Sequence, residues 1–345
     1  KNLYDAIHPA FSLEDIDEKK AYRKIEGVQN RNRKILHWKS IAAVAIVLFS
    51  VALSIFYFSR VNDESLQMRI VKADSSKQTE RLVLELASGK KIMLDEPGVS
   101  EITDNNITVA RVEKNAMNYM LQGSERNEEI YHQLRVPRGE EFFLTLSDGT
   151  KIWVNSETVL NYSARLDSAI RKISIEGEAY VEVAKNKHKP FIVHTSRFDV
   201  HVLGTKFNVS SYKEEAAHSV VLAQGKVKVY SDKLHMSTCL KPNEMFATSK
   251  DSCYKTQVNA YNYICWKNGL LYLESQPLST IINKLSRHYA VNIKMEKDIY
   301  SLKCSGKIVL FEDLDITLKN ISNVIPITYT HKGNEILISK KININ

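Results

Sequence analysis

FFLTLSDGTKIWV, residues 142–154, decides how this chain must fold. Phe142, Leu144 and Leu146 alternate, and Ile152 and Val154 resume the alternation beyond Asp148–Gly149. Successive strand side chains point to opposite faces, so such a run buries one face and wets the other. Asp-Gly between two alternating runs signals a hairpin, because a two-residue turn asks for positive φ at both positions. The pattern also stands earlier in the chain: Leu84, Leu86, Gly89, Lys91 and Ile92 correspond to Leu144, Leu146, Gly149, Lys151 and Ile152. Two such hairpins imply an internally repeated β-unit.

Alternation continues outward from this stretch, from Leu82 to Val258, with few helical patterns. Ile173, Ile175, Ala179, Val181 and Val183 share one face of a long strand, and Gly177 among them marks a kink or a close approach of another strand. Phe198, Val200 and Val202 occupy even positions, whereas Phe207 and Val209 occupy odd ones. A strand changes face only through an extra residue, so Gly204–Thr205 is expected to be a bulge or tight bend. The same switch is expected at Gln224–Gly225, between Val220/Leu222 and Val227/Val229. Gly89, Gly149, Gly204 and Gly225 are therefore read as structural turns.

After Trp266 the period changes. Gly269–Leu273 reads as a strand, and Pro277 opens a helix where its missing N–H costs nothing. Leu278, Ile281, Ile282, Leu285 and Tyr289 form its apolar stripe. Val291–Met295 and Lys303–Val309 read as strands, Leu314–Asn323 as a helix, and Ile325–Thr330 with Glu335–Ser339 as a hairpin. The order β-α-β-β-α-β-β predicts a small α+β domain with helices packed on a sheet. Its first strand, with Leu270, Tyr272 and Leu273, is either core or a sheet edge able to take a partner strand.

Toward the N-terminus, Ile41–Phe58 is an uncharged apolar run. As a helix it would reach roughly 27 Å, close to a hydrocarbon core of ~30 Å. Lys20, Arg23, Lys24, Arg31, Arg33, Lys34 and Lys39 precede it, against fewer basic residues after it, which predicts a cytoplasmic N-terminus. Within residues 12–30, Ala21, Tyr22, Ile25 and Val28 make a narrow helical stripe suited to a partner's groove. The sequence opens at Lys1 rather than Met, so this tail is read as a segment that need not be whole.

The formal charge of +8 does not point to nucleic acid, because basic residues are scattered among 40 acidic ones. The four cysteines match no zinc spacing; Cys239 and Cys253 are a candidate disulfide, with buried free thiols as the alternative. His194 and His201 fall on neighbouring strands without a third ligand. Glu140–Glu141 and Glu214–Glu215 read as solvated strand ends rather than an acid/base couple, and no phosphate loop or nucleophile elbow is present. The chain is expected to be no enzyme, with no cofactor, metal or small-molecule substrate.

VPRGEEFFLTLSDGTKIWVNSETVLNY (136–162), GEAYVEV (177–183), KPFIVHT (189–195), VHVLGTKFNV (200–209) and VLAQGKVKV (221–229) together resemble the FecR-like family of membrane-bound sigma-factor regulators. NGLLYLESQPLSTIINKLSRHYAVNI (268–293) is similar to the short N-terminal domain of secretins and TonB-dependent transducers, found at the C-terminus of Bacteroidetes members of that family. The resemblance implies a single-pass inner-membrane anti-sigma factor acting in cell-surface signalling and transcription regulation. Its partners would be an extracytoplasmic-function sigma factor inside, with Tyr22, Ile25 and Val28 as contact candidates, and the signalling domain of a TonB-dependent outer-membrane transducer of iron chelate or glycan outside, with Leu270, Tyr272 and Leu273 as contact candidates. The implied layout is a cytoplasmic tail (1–40), a transmembrane helix (41–59), a periplasmic β-hairpin region (60–133), a FecR-like all-β domain (134–262) and the α+β domain (263–345). The fold class is thus mainly β, solenoid- or sandwich-like, with a C-terminal α+β domain and one transmembrane helix. A membrane-anchored glycan- or protein-binding scaffold with no sigma partner is the alternative.

Overall fold

In a computed structural model, the hairpin at 142–154 is one rung of a double-layered β-structure. The structure describes residues 81–104, 107–120, 131–164, 166, 169–231, 235–249, 252–310 and 313–341. Ile41–Phe58, and Tyr22, Ile25 and Val28, lie outside the described residues; among those described, no helix is long and apolar enough to cross a membrane.

The first layer runs in spatial order Lys91–Met93, Val83–Glu85, Tyr131–Val136, Thr158–Ser163, the first half of Arg171–Glu182, Phe191–His194, Asp199–Val202, Val227–Ser231 and Met236–Leu240. The second runs Glu101–Asp104, Ile107–Glu113, Ala116–Tyr119, Phe142–Thr145, Lys151–Val154, the second half of Arg171–Glu182, Lys206–Ser211, His218–Gln224, Glu244–Thr248 and Cys253–Gln257. Two neighbouring pairs are parallel, Arg171–Glu182 with Phe191–His194 and Ala116–Tyr119 with Phe142–Thr145; the rest are antiparallel. The inward row Met117, Leu144, Ile152, Val181, Phe207 and Leu222 crosses the second layer fully buried. It meets Leu84, Leu134, Leu160 and Ile175 from the first, in one shared core. At about 25 cal/mol per Å² of apolar area, this packing is the main stabilising term.

The long strand explains the kink expected at Gly177. It belongs to both layers and crosses between them at this residue, which has φ +128°. A Cβ there would sit 2.3 Å from Thr158 Oγ1, so the crossing requires glycine. The chain also changes layer at Gly204–Thr205 and at Gln224–Gly225, where the face switches were expected.

The turns themselves correct one expectation. Only the glycine of each loop takes positive φ, Gly89 at +81° and Gly149 at +84°. Leu146 N donates to Thr150 O at 2.8 Å and Gly149 N to Leu146 O at 2.9 Å, and Leu86–Lys90 repeats both bonds. These are three-residue loops, a turn closed by a left-handed glycine, and such loops leave the aspartate position right-handed. Asp148 instead accepts from Arg171 Nη1 at 2.8 Å. Arg171 is buried, also donates to the carbonyls of Ala184 and Lys189, and lies over the Phe191 ring. The break drawn between 133 and 134 falls inside the strand Tyr131–Val136, which joins the earlier hairpin to the later strands.

The C-terminal α+β region follows the expected order, but its strands form two small sheets instead of one. Leu270–Pro277 pairs with Lys303–Val309, while Glu335–Lys340 lies between Asn292–Met295 and Ile327–Lys332. A short helix α1 (Tyr261–Ile264) and a 3-10 turn (Cys265–Asn268) lead in. Helices α2 (Leu278–His288) and α3 (Leu314–Val324) bury Leu278, Ile281, Leu285, Leu318 and Ile321 in a second core. Asp313 caps α3, accepting from Asp315 N at 2.7 Å.

Candidate functional site: a tyrosine-lined groove beside two sheet edges

Two strands end their sheets near each other. Among the described residues, Cys253–Gln257 pairs with no strand but Glu244–Thr248, and Leu270–Pro277 with none but Lys303–Val309. A groove of about 550 Å³ is lined by residues of both, including Tyr254, Tyr263, Tyr272, Asn262, Glu274 and Gln276. Asn259 Oδ1 accepts from Tyr261 N at 3.1 Å, which starts α1 and sets Tyr261 edge-on to Tyr272, ring centroids 5.7 Å apart. Tyr254 is 57 % exposed and Tyr261 43 % exposed, so aromatic faces meet solvent here. Asn262 Nδ2 donates to Glu274 Oε2 at 3.3 Å. Burial, reinforced by Tyr254 and Glu274, raises the Tyr263 hydroxyl's pKa and keeps it a neutral donor. The groove is edged by a bulge: register shifts between Leu273 and Gln276, with Ser275 at φ +52° and its N–H donating to Ser305 Oγ at 2.8 Å. Beyond the bulge the Gln276 Oε1 is buried with no hydrogen-bond partner among the described residues. A buried acceptor without a donor is costly.

A seam of polar groups holds the C-terminal α+β region against the outer face of the second layer. Buried Glu178 accepts from Asn155 Nδ2 and Asn208 Nδ2, both at 2.9 Å, and Trp266 Nε1 donates to Asn208 Oδ1 at 3.1 Å. Arg287 of α2 stacks on the Tyr212 ring, 3.7 Å from its centroid, and donates to Glu215 Oε1 at 2.6 Å. Gly139 N donates to Arg287 O at 2.9 Å, and Arg138 Nη2 to Ser286 Oγ at 2.6 Å. Glu141 lies 3.8 Å from His288 Nδ1; burial, with the charge of Glu178 adding to it, raises the Glu141 carboxyl to about 7. Burial also lowers the pKa of His288, partly offset by the Leu310 carbonyl. Lys267 reaches over Trp153 and Tyr180, at 4.8 and 5.3 Å from the ring centroids.

Of the transducer-contact candidates, Tyr272 lines the groove, Leu270 is half-buried outside it, and Leu273 is buried in the C-terminal core. The correction for Leu273 follows from alternation, since Leu271 and Leu273 point inward from the strand that presents Tyr272. Glu141 and Glu215 are not solvated strand ends but members of the seam; the halves of the chain that bury them are distant in sequence. Cys239 and Cys253 are free thiols on strands of different layers, so the candidate disulfide is not made, and Cys239 is exposed rather than buried. His194 Nδ1 bonds Asp199 Oδ1 at 2.6 Å, and His201 packs on Tyr230. The tyrosine groove escaped sequence reading, although YNYICW (261–266), three aromatics in six residues at the change of period, carried its signal.

The chain matches the FecR protein family over residues 132–228 and the FecR C-terminal family over residues 270–338. It is similar to two crystal structures of a candidate anti-sigma factor from Parabacteroides distasonis ATCC 8503, each at 31 % identity and a TM-score of 0.58. One covers 60 % of this chain and 98 % of its own, the other 61 % and 99 %. Comparison with curated proteins finds no match. The joined β-body and α+β half, matched in order and along nearly the whole length of those structures, place the chain in the FecR-like family of anti-sigma factors, a regulatory and non-enzymatic class.

Proposed function

We propose that this sigma regulator sequesters an extracytoplasmic-function sigma factor with residues 1–40, crosses the inner membrane at Ile41–Phe58, and receives its signal outside from the signalling domain of a TonB-dependent transducer. The edge of Leu270–Pro277, which pairs with one other strand among the described residues and borders the tyrosine groove, supports this reading. An exposed edge takes a partner strand through backbone hydrogen bonds, and Tyr272 and Tyr261 give that strand an aromatic shelf. Contact biases the tail only if the partner binds two states of the exported body unequally. Cleavage of the chain after such contact would turn docking into release of sigma.

The test is capture of the transducer's signalling domain by the full chain carrying bound sigma factor. Tyr272→Ser with Gln276→Ala is expected to weaken capture about tenfold or more, leaving sigma retention intact. Equal capture by both proteins would remove the groove from the pathway, and a tail that fails to hold sigma would remove the sequestration step. The scaffold reading draws on the same groove, because exposed tyrosines beside Asn and Gln amides also suit a sugar. Glycan binding that persists with no sigma partner would favour it.

A further inference from the structure

A second groove, of about 810 Å³, opens at the end of the first layer, far in sequence from the tyrosines. Its floor is apolar, built from Pro190, Val202, Leu203, Val227 and Leu240. Leu203 is 48 % exposed, a large apolar side chain left facing solvent. Lys185, Lys187, Lys226, Lys228 and Lys241 ring this floor, all five exposed, and no carboxylate lines the groove among the described residues.

The layer-switching corners build this arrangement. At Gly204 the chain runs so close to the preceding loop that a Cβ would lie 2.6 Å from Lys185 Cγ and 2.8 Å from its Cα. Asn186 N donates to Leu203 O at 2.8 Å and Val183 N to Thr205 O at 2.9 Å, which fixes the Lys185–Lys187 loop against the corner. Thr205 Oγ1 donates to Lys226 O at 2.9 Å and ties in the second corner. Lys228 is held by its own sheet, its ammonium 4.5 Å from the Tyr230 ring centroid, and Cys239 stands directly opposite it on the next strand. That next strand, Met236–Leu240, pairs only with Val227–Ser231 among the described residues, so its outer edge is open up to Leu240; Lys241 turns away, its N–H bonded to Glu244 Oε2 at 2.8 Å and its C=O accepting from Glu244 N at 3.0 Å.

We propose that this groove is a docking site for an extended acidic segment of a partner protein. Its apolar residues would lie on the Leu203–Leu240 floor, its carboxylates among the lysines, and its backbone along the open edge of Met236–Leu240. Five like charges around an apolar floor repel one another, and an anionic partner relieves that repulsion while steering the encounter. The volume lies within the range of about 300–1,000 Å³ usual for binding pockets. A lipid surface supplies anionic groups but is too flat to enter a concave floor and has no strand to add to an edge. The site is separate from the tyrosine groove and does not rest on the transducer reading.

Fluorescence anisotropy with the full chain tests the proposal. The probes are a labelled peptide of about eight residues, a usual strand length, alternating valine with glutamate, its valine–lysine counterpart, and phosphatidylglycerol vesicles. The expected result is preferential binding of the acidic peptide, weakened by salt. Lys187→Glu with Lys226→Glu is expected to weaken it about tenfold, and the Lys187→Arg, Lys226→Arg pair to restore it. Leu203→Asp is expected to abolish it. Both lysines and Leu203 are solvent-facing, and an unchanged circular-dichroism melt checks the fold. Equal binding of acidic and basic peptides, no loss on charge reversal, or binding of vesicles but not of peptide would overturn the proposal.

Discussion

Arg171 shows how much one side chain can decide in a β-body. Its guanidinium is buried, bonded to Asp148 in the second repeat turn and to two carbonyls of the loop before Phe191. Truncation would take the cation from a carboxylate only 13 % exposed, leaving Asp148 with the Thr150 N–H and hydroxyl as donors. Arg171→Ala is therefore expected to cost about 3–5 kcal/mol in urea unfolding. Glu141 makes the opposite case. Its carboxyl, raised from 4.5 to about 7, binds its proton more tightly folded than unfolded. The folded state therefore loses stability as pH rises from 4.5 to about 7 and carries the full penalty above that. Glu141→Gln is expected to raise the melting temperature at pH 8 and leave it unchanged below pH 4.5, an effect damped because 35 % of the side chain meets solvent. Arg171 did not stand out in the sequence, and Glu141 read there as a solvated strand end. A charged residue at a polar position reads as solvated until the distant loop or helix that covers it is known.

At the scale of elements, the strand Arg171–Glu182 joins two layers through one glycine. Gly177→Ala brings a Cβ against Thr158 Cα as well as its hydroxyl, at a φ that L-residues avoid. The expected loss is more than about 2 kcal/mol. Gly149→Ala, with open space around the new methyl, is expected to cost only about 1 kcal/mol from its left-handed backbone. Paired denaturant melts compare the two. Periodicity revealed these strands, their face switches and the C-terminal order of elements, because alternation and turn chemistry are local. It did not reveal which layer each strand joins, nor that the C-terminal strands divide into two sheets. Those depend on pairings between segments remote in sequence, such as Ala116–Tyr119 with Phe142–Thr145.

For the whole molecule, the seam around Glu178 and Arg287 decides whether the two halves behave as one. Arg287 is buried on Tyr212 and paired with Glu215, so Arg287→Ala removes a stacked cation and leaves a carboxylate without its partner. The expected outcome is a loss of about 3 kcal/mol and a calorimetric trace that splits from one transition into two. A single transition at the original temperature would show that the seam is not what couples them. The groove by the tyrosines was legible only as Tyr272 on a candidate edge, since its other walls come from Tyr254 and α1 across the junction.

The shared strand also governs how the body fails. Since one ribbon is stitched into both β-layers, neither can peel away while the other stays folded, and mechanical tension or a cut within this strand collapses both together. A cut that is to leave both layers folded must therefore fall outside residues 171–182.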